Sequence, residues 1–436
     1  MNLTPIFEHL DANREETIET LRTYVGQPSV SVGDGAGMRE CAELVAGHYR
    51  AAGCQEVEVI ETETFPGVWA YYDAGAPTTL LVYNMYDVRS VGDPSRWQHE
   101  PFAATIEPRG AMPAVLYGRG AHVPKGPAIA FISAVRAISE TTGTLPVNLA
   151  FLAEGDEILG SESFPGLMAR YRDRVAKADG WIYFRASQNE SRAMPISLGY
   201  KTFITFELRA TGAAWGRGPV TAAAHTATGP IVDNPAVRLV QALATLFNPD
   251  GTVAIEGWAP TFASLKVPDD DRALVDGLLE RFRGKTWSDV IPGLAGTGVT
   301  TYAGDATGDD VLVRYIYGSQ LNLQGIYAGY TGPGTRTYTI PERATARFDT
   351  RLVTTASPAE LMKLLRDHLD AHGFADLEID LKSAYPGSQT LATTPLAESF
   401  LRAVRKAGAD PVVWPRQGYG GPWSGFATEF GRPVVH

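Results

Sequence analysis

Thr78-Thr79-Leu80-Leu81-Val82-Tyr83-Asn84-Met85-Tyr86-Asp87-Val88 is continuously apolar through its first half and turns polar at Asn84. That run predicts a strand over 78–83 buried on both faces, as in a sheet covered by helices on either side. The flanking segments agree. Ile6, Leu10, Ile18 and Leu21 recur at helical spacing and predict a helix over 5–25, stopped by Gly26-Gln27-Pro28. A second helix is expected over 38–52, with Gly53 as its C-cap. Strand-like runs follow over 56–61 and 68–72. Beyond the central run come a helix over 127–139, the apolar strand VNLAFLAE, a helix over 164–174 and the strand DGWIYF. Strands alternating with helices at this spacing predict an α/β fold with a mostly parallel sheet.

The texture changes after about residue 197. YKTFITFELRA reads as a strand, a helix begins at Asn234-Pro235, and TYTIPERATARFDTRLV alternates like β structure. A helix over 358–372 and a strand over 377–382 complete an α+β group. The tail from Thr394 returns to helix, a VVW strand and a Gly-rich turn. The expected division is 1–196 and 386–436 for one domain, interrupted by a second over 197–385.

Composition limits what such a protein does. Its 436 residues are 44% hydrophobic and 20% charged, which fits a globular chain of two or three domains and excludes disorder. Acidic residues outnumber basic ones, 49 to 38, giving a formal charge of −11 without a basic patch, so no nucleic-acid partner is expected. No run of 18 apolar residues offers a membrane span, and the acidic N-terminus has no signal-peptide core. Cys41 and Cys54 are too few for a disulfide scaffold or a thiolate metal site. The expected location is cytoplasmic.

Four segments fall where an α/β sheet presents its strand C-termini, the usual place for a site. They are Asn84–Val88, Gly118–Gly126, Glu154–Ser161 and Phe184-Arg185, bringing Asp87, His122, Lys125, Glu154, Asp156, Glu157 and Arg185 into one expected crevice. Pro28-Ser29-Val30-Ser31, Trp97 with Pro101-Phe102, Gly118-Arg119-Gly120-Ala121, Lys125-Gly126-Pro127, Glu154-Gly155 with Gly160-Ser161, and Asn234-Pro235 form an ordered set. Together they resemble the cocatalytic zinc peptidases and deacylases, a family that includes carnosinase, glutamate carboxypeptidase, aminoacylase, acetylornithine deacetylase and succinyl-diaminopimelate desuccinylase. The resemblance runs along nearly the whole chain. It implies a zinc-peptidase-like catalytic domain interrupted by a lid and dimerisation domain, and a homodimer formed through the latter.

The departures fall on the metal ligands. Met85 stands where the family has its first His, Val123 at the bridging Asp, Ile158 at the ligand Glu and Arg185 at the second Asp. The fifth ligand would follow Gly431 to Val435 by a dozen or so residues, beyond His436, and the chain is expected to be incomplete there. Met, Val and Ile offer zinc nothing useful, and Arg185 places a cation where a cation would bind. No metal or other cofactor is therefore expected. By resemblance, Asp87 is the acid that orients the first His ligand, Glu157 the general base and His225 the second-domain His that polarises the substrate carbonyl from a partner subunit. Asn322 and Arg351 contact the substrate carbonyl and carboxylate, and Gly418, Gly420 and Gly421 belong to a loop that cradles the carboxylate with backbone N–H groups.

Some residues have plainer readings beside the sharper ones. Glu157 doubles as a helix-start acid and as an ion-pair partner for Arg185, replacing metal charge by guanidinium charge. His122, where the family has Ser or Thr, is either an acid/base near neutral pH or a solvated His. Lys125 is expected to support its loop. His368 and His372 stand at a metal-binding spacing but read better as cations at a helix C-terminus. The leading functional reading is a hydrolase-like enzyme acting without zinc on a small carboxylate-bearing amino-acid or peptide-like amide, by hydrolysis, acyl transfer or acid/base rearrangement. Glu157 is its base, and His225, Asn322 and Arg185 stabilise an oxyanion. The alternatives are a non-catalytic ligand-binding or regulatory homologue and, third, a conventional metal-dependent dipeptidase.

Overall fold

The expected central strand is Thr79–Met85, lying between Asn148–Glu154 and Gly180–Tyr183 and parallel to both. This computed structural model describes residues 2–185, 193–260, 262–329 and 338–436. Thr337, the first residue of the expected alternating stretch, lies outside them. Two units are distinguished: Met1–Leu198 with Thr390–Val413 and Gly421–His436, and Gly199–Gln389 with Trp414–Gly420.

The first unit holds a six-stranded sheet in the order Glu56–Ile60, Gly67–Tyr72, Asn148–Glu154, Thr79–Met85, Gly180–Tyr183, Val434–Val435. The three strand pairings from Asn148–Glu154 onward are parallel and the two on the other side antiparallel, so the sheet is mixed at one edge. Both faces of its centre are covered. Val82 and Phe151 pack with Tyr24, Val45, Tyr49, Ile129 and Ile132 from the helices Arg14–Gly26, Met38–Ala51 and Gly126–Thr142. Tyr83 and Trp181, pointing the other way, meet Phe164, Trp423 and Phe426. Alternation of side chains across the sheet thus fills both layers from one apolar run.

The helix expected over 5–25 is two helices, Thr4–Ala12 and Arg14–Gly26. Asn13 divides them, its amide Nδ2 donating to the His9 carbonyl at 2.8 Å, the local competition that makes Asn a poor interior residue. The hairpin Thr105–Arg109 with Met112–Tyr117 was not anticipated from the sequence, because its residues are largely exposed and carry no clear alternation.

The second unit is built on a four-stranded antiparallel sheet in the order Gln320–Ala328, Arg343–Arg351, Phe203–Thr211, Glu378–Tyr385. Helices Pro235–Leu243 and Pro358–Ala371 bury Leu239, Leu243, Leu361, Leu365 and Leu369 against Phe206, Leu208, Ala346 and Phe348. Asn234 and Ser357 cap these helices, Ser357 within a capping box closed by Glu360. Helices Asp269–Arg281 and Asp310–Tyr317 also belong here. Among the described residues no helix is long and apolar enough to cross a membrane.

Candidate functional site

Parallel strands that end together put their following turns along one edge, and three do so here: Thr79–Met85, Asn148–Glu154 and Gly180–Tyr183. Asp87, just past the first, is fully buried. Its Oδ2 accepts from the Ser31 hydroxyl and the Ile158 backbone N–H, each at 2.9 Å, while Oδ1 has no partner among the described residues. Burial, reinforced by the negative charge of Glu157, pushes this carboxyl up to about 7. Asp156 accepts from the Thr64 hydroxyl at 2.8 Å and from the Ser163 N–H and hydroxyl at 2.9 Å. Its carbonyl also takes the N–H of Leu159. The turn Glu157–Leu159 is therefore clamped from both sides, by Asp87 at Ile158 and by Asp156 at Leu159. Glu154 accepts from the Tyr83 hydroxyl and, at 3.0 Å, from the Ser161 hydroxyl. Burial holds its carboxyl well above the usual range.

An aromatic wall stands beside these acids. The Tyr183 hydroxyl donates to Met85 Sδ at 3.2 Å. The Tyr183 ring lies 4.3 Å from that of His436 and 4.9 Å from that of Trp423. His436 exchanges backbone hydrogen bonds with Ser197, and burial followed by the Arg185 charge keeps its imidazole neutral. Nothing in the sequence marked His436 as a neighbour of Met85, because the approach comes from tertiary packing alone.

Of the seven residues expected in one crevice, Asp87, Glu154, Asp156 and Glu157 come together. Lys125 does not join them. Its ammonium is buried and donates to the Tyr24 and Gln27 carbonyls at 2.9 and 2.6 Å, capping Arg14–Gly26. The helix end outcompetes the carboxylates because it offers a fixed cluster of unsatisfied carbonyls. His122 is exposed on the Ala121–Lys125 turn, which folds back tightly at Gly120 (φ +88°), where a Cβ would lie 2.8 Å from the Val88 side chain.

The zinc pair that the resemblance implies is not matched by this donor set. Met85 offers a thioether already engaged by Tyr183. Ile158 contributes only its backbone N–H, and that to Asp87. Among the described residues no three His, Cys, Asp or Glu side chains are arranged to hold a metal ion.

In the second unit Asn322 and Arg351 meet on one carboxylate. Asn322 Nδ2 donates to Asp349 Oδ2 at 2.9 Å, and Arg351 lies 4.0 Å from Asp349 Oδ1 with its guanidinium 4.1 Å over the Phe203 ring. His225 sits on the short strand Ala224–His225, exposed, its Nδ1 accepting from the Ala227 N–H at 3.1 Å. Gly418 and Gly420 belong to this unit, whereas Gly421, packed on Trp423, belongs to the first. Two cations beside the loop were missed by the sequence reading. Lys201 is buried and donates to the Tyr315 and Gly318 carbonyls at 2.7 and 2.6 Å. Arg416, two residues before Gly418, was the readable one.

A sheet carrying buried acids at its parallel strand ends, interrupted in sequence by an antiparallel α+β unit, defines a peptidase-type catalytic fold with an inserted dimerisation domain. Residues 212–376 match the family model described as a peptidase dimerisation domain. Over nearly its whole length the chain is similar to M20 family peptidases. It is 26% identical over 383 residues to the Cys-Gly metallodipeptidase dug1 of Schizosaccharomyces pombe, covering 85% of this chain and 76% of that protein. It is 25% identical over 391 residues to the Beta-Ala-His dipeptidase of Mus musculus, covering 85% and 74%. Among solved structures, the M20 family metallo-carboxypeptidase Sso-CP2 from Sulfolobus solfataricus superposes with a TM-score of 0.81 at 26% identity, over 96% of this chain and 90% of that one.

Proposed function

We propose that the protein is a peptidase-like enzyme that works without a zinc pair on a small, carboxylate-bearing amino-acid or peptide-like amide. The observation that carries this reading is the clamped Glu157 turn beside a buried, half-partnered Asp87. An acid cluster kept at such desolvation cost is hard to rationalise in a purely structural role. In amide hydrolysis Glu157 takes a proton from the attacking water, the carbonyl carbon gains the water oxygen, and the proton passes to the departing amine nitrogen. Asp87 acts through the Ile158 N–H as a positioning residue for Glu157. Arg351 and Asn322, gathered on Asp349, hold the ligand's carboxylate and carbonyl, and His225 serves a partner subunit.

The test is elemental analysis of the purified chain after incubation with zinc and desalting, followed by a screen of dipeptides and acyl-amino acids. Less than roughly a tenth of an equivalent of zinc is expected. Turnover is expected to fall about 10²–10⁴-fold in Glu157→Gln. Unchanged turnover in that variant removes Glu157 as the base. A ligand bound tightly without turnover points to the non-catalytic homologue. A second reading, a metal-dependent dipeptidase, is favoured by the metallodipeptidase activity for which the fission-yeast relative is named. Stoichiometric zinc establishes it in place of the first.

We further propose homodimerisation through the second unit. Val237 and Val240 on the Pro235–Leu243 helix, and Ile326 and Tyr327 on the sheet-edge strand Gln320–Ala328, are each more than half exposed. Among the described residues that strand forms one edge of its sheet and the helix shows apolar side chains to solvent, and each is a natural pairing surface. Val240→Glu with Ile326→Lys is expected to give a monomer by light scattering with an unshifted melting temperature. A persistent dimer refutes this surface.

A further inference from the structure

The Gly418–Gly420 loop is held by more positive charge than one carboxylate requires. Lys201 donates its backbone N–H to the Tyr419 carbonyl at 3.2 Å, and a Cβ on Gly420 would lie 2.3 Å from the Lys201 carbonyl oxygen and 3.1 Å from Phe203 Cβ. Phe203 carries the Arg351 guanidinium over its ring at 4.1 Å, which brings that cation to one flank of the loop. On the other flank Gly418 packs on Tyr315, whose hydroxyl donates to Gln417 Oε1 at 3.2 Å and whose carbonyl takes the Lys201 ammonium. Next to Gln417 is Arg416, with its guanidinium 6.0 Å from the Tyr317 ring centre and one Nη donating to Gln389 Oε1 at 3.2 Å. Its Nε–H is buried and has no acceptor among the described residues.

Lys201 spends its protons on helix-end carbonyls, so it is not the ligand contact. Its role is visible in its titration: burial, then the charges of Arg416 and Arg351, push its ammonium down to about 7. Like charges that repel each other inside a protein, with a guanidinium donor unspent, are an arrangement that an anion stabilises. Of the carboxylates nearby, Asp349 receives Asn322 and Gln324, and Asp271 receives the Tyr317 hydroxyl while its charge favours ionised Arg416. Among the described residues neither accepts the Arg416 Nε–H.

We propose that Arg416 is a specificity-determining residue and that the ligand of this loop carries two carboxylates, one met by Arg351 and the other by Arg416. This rests on the carboxylate-binding reading given above and narrows it to dianionic amino-acid or peptide-like ligands. A guanidinium pairs with a carboxylate in fixed geometry, which makes the second site selective for an acidic group over its amide.

Calorimetric titration of the full chain with glycyl-glutamate and with glycyl-glutamine tests it, since the two differ only in one carboxylate. The acidic peptide is expected to bind at least about tenfold more tightly, one hydrogen-bonded charge pair's worth. Arg416→Gln is expected to abolish that preference, bringing the two affinities within about twofold of each other. Arg416→Lys, which keeps the charge should the Gln variant fold poorly, is expected to retain part of the preference. Equal affinities in the unaltered protein, or a preference that survives Arg416→Gln, overturn the proposal while leaving the carboxylate cradle standing. Failure of both peptides to bind overturns the cradle reading itself.

Discussion

Asp87→Asn is expected to make the protein more stable at pH 8 while changing little at pH 5. The carboxyl titrates near 7 in the folded protein, because burial first and the Glu157 charge second oppose its ionisation, whereas in the unfolded chain it titrates near 4. Between those values the folded state holds a proton that the unfolded state has released. Stability therefore falls as pH rises from about 4 to about 7, and the loss is complete above that. Three units at 1.36 kcal/mol each set a ceiling of about 4 kcal/mol, and about 2 kcal/mol is a reasonable expectation after local relaxation. Asparagine keeps an acceptor for Ser31 and the Ile158 N–H and carries no charge to desolvate. The measurement is urea unfolding of both proteins at pH 5, 6, 7 and 8. Parallel profiles, with no widening gap above pH 6, would show that Asp87 ionises freely in the folded state.

Gly420→Ala is expected to cost about 1–3 kcal/mol and to cripple ligand binding together with stability. The added methyl meets a backbone carbonyl, that of Lys201, at 2.3 Å, and Phe203 Cβ at 3.1 Å. Neither is the free end of a flexible side chain, so the loop itself has to move, carrying Gly418 and Arg416 with it. Gly425→Ala makes a suitable control, because a Cβ there meets nothing within 4 Å inside the helix Trp423–Phe430. That change is expected to be neutral or stabilising by about 0.5–1 kcal/mol. Thermal melts of the two variants decide the matter: equal melting temperatures refute the close approach at Gly420.

The layered α/β unit was legible in the sequence because one apolar run has to serve two faces, and Val82 and Tyr83 do serve opposite layers. The clustering of Asp87, Glu154, Asp156 and Glu157 was legible for a related reason: parallel strands bring their C-terminal turns to one edge whatever the side chains are. Lys125 was misplaced because a helix end contributes carbonyls that leave no trace in a residue pattern, and Tyr24 and Gln27 gave no hint of them. Helix Asp269–Arg281 was missed for a different reason. Its buried residues are only Asp271, Val275 and Leu278, too sparse a stripe to stand out from charge. Lys201 was hidden inside a strand-like run that in fact breaks between Tyr200 and Phe203. Arg416 was within reach, since a cation two residues before a Gly-rich turn is itself a signal of anion recognition.

Val434 lies opposite Trp181 in the large sheet, with the entire second unit between them in the chain. Closing so long a loop from a disordered chain is entropically expensive, and the cost grows with the logarithm of the intervening length. If the inserted residues have already folded, their ends are tethered and that separation shrinks. The sequence order thus favours a folding route in which the antiparallel unit condenses early and the last parallel strand is added late. Ribosomal synthesis enforces the same order, because Val434 emerges after nearly everything it completes. In refolding by dilution from denaturant, Trp181 and its contact with Phe426 are accordingly expected to report a slower phase than Trp258, buried in the second unit.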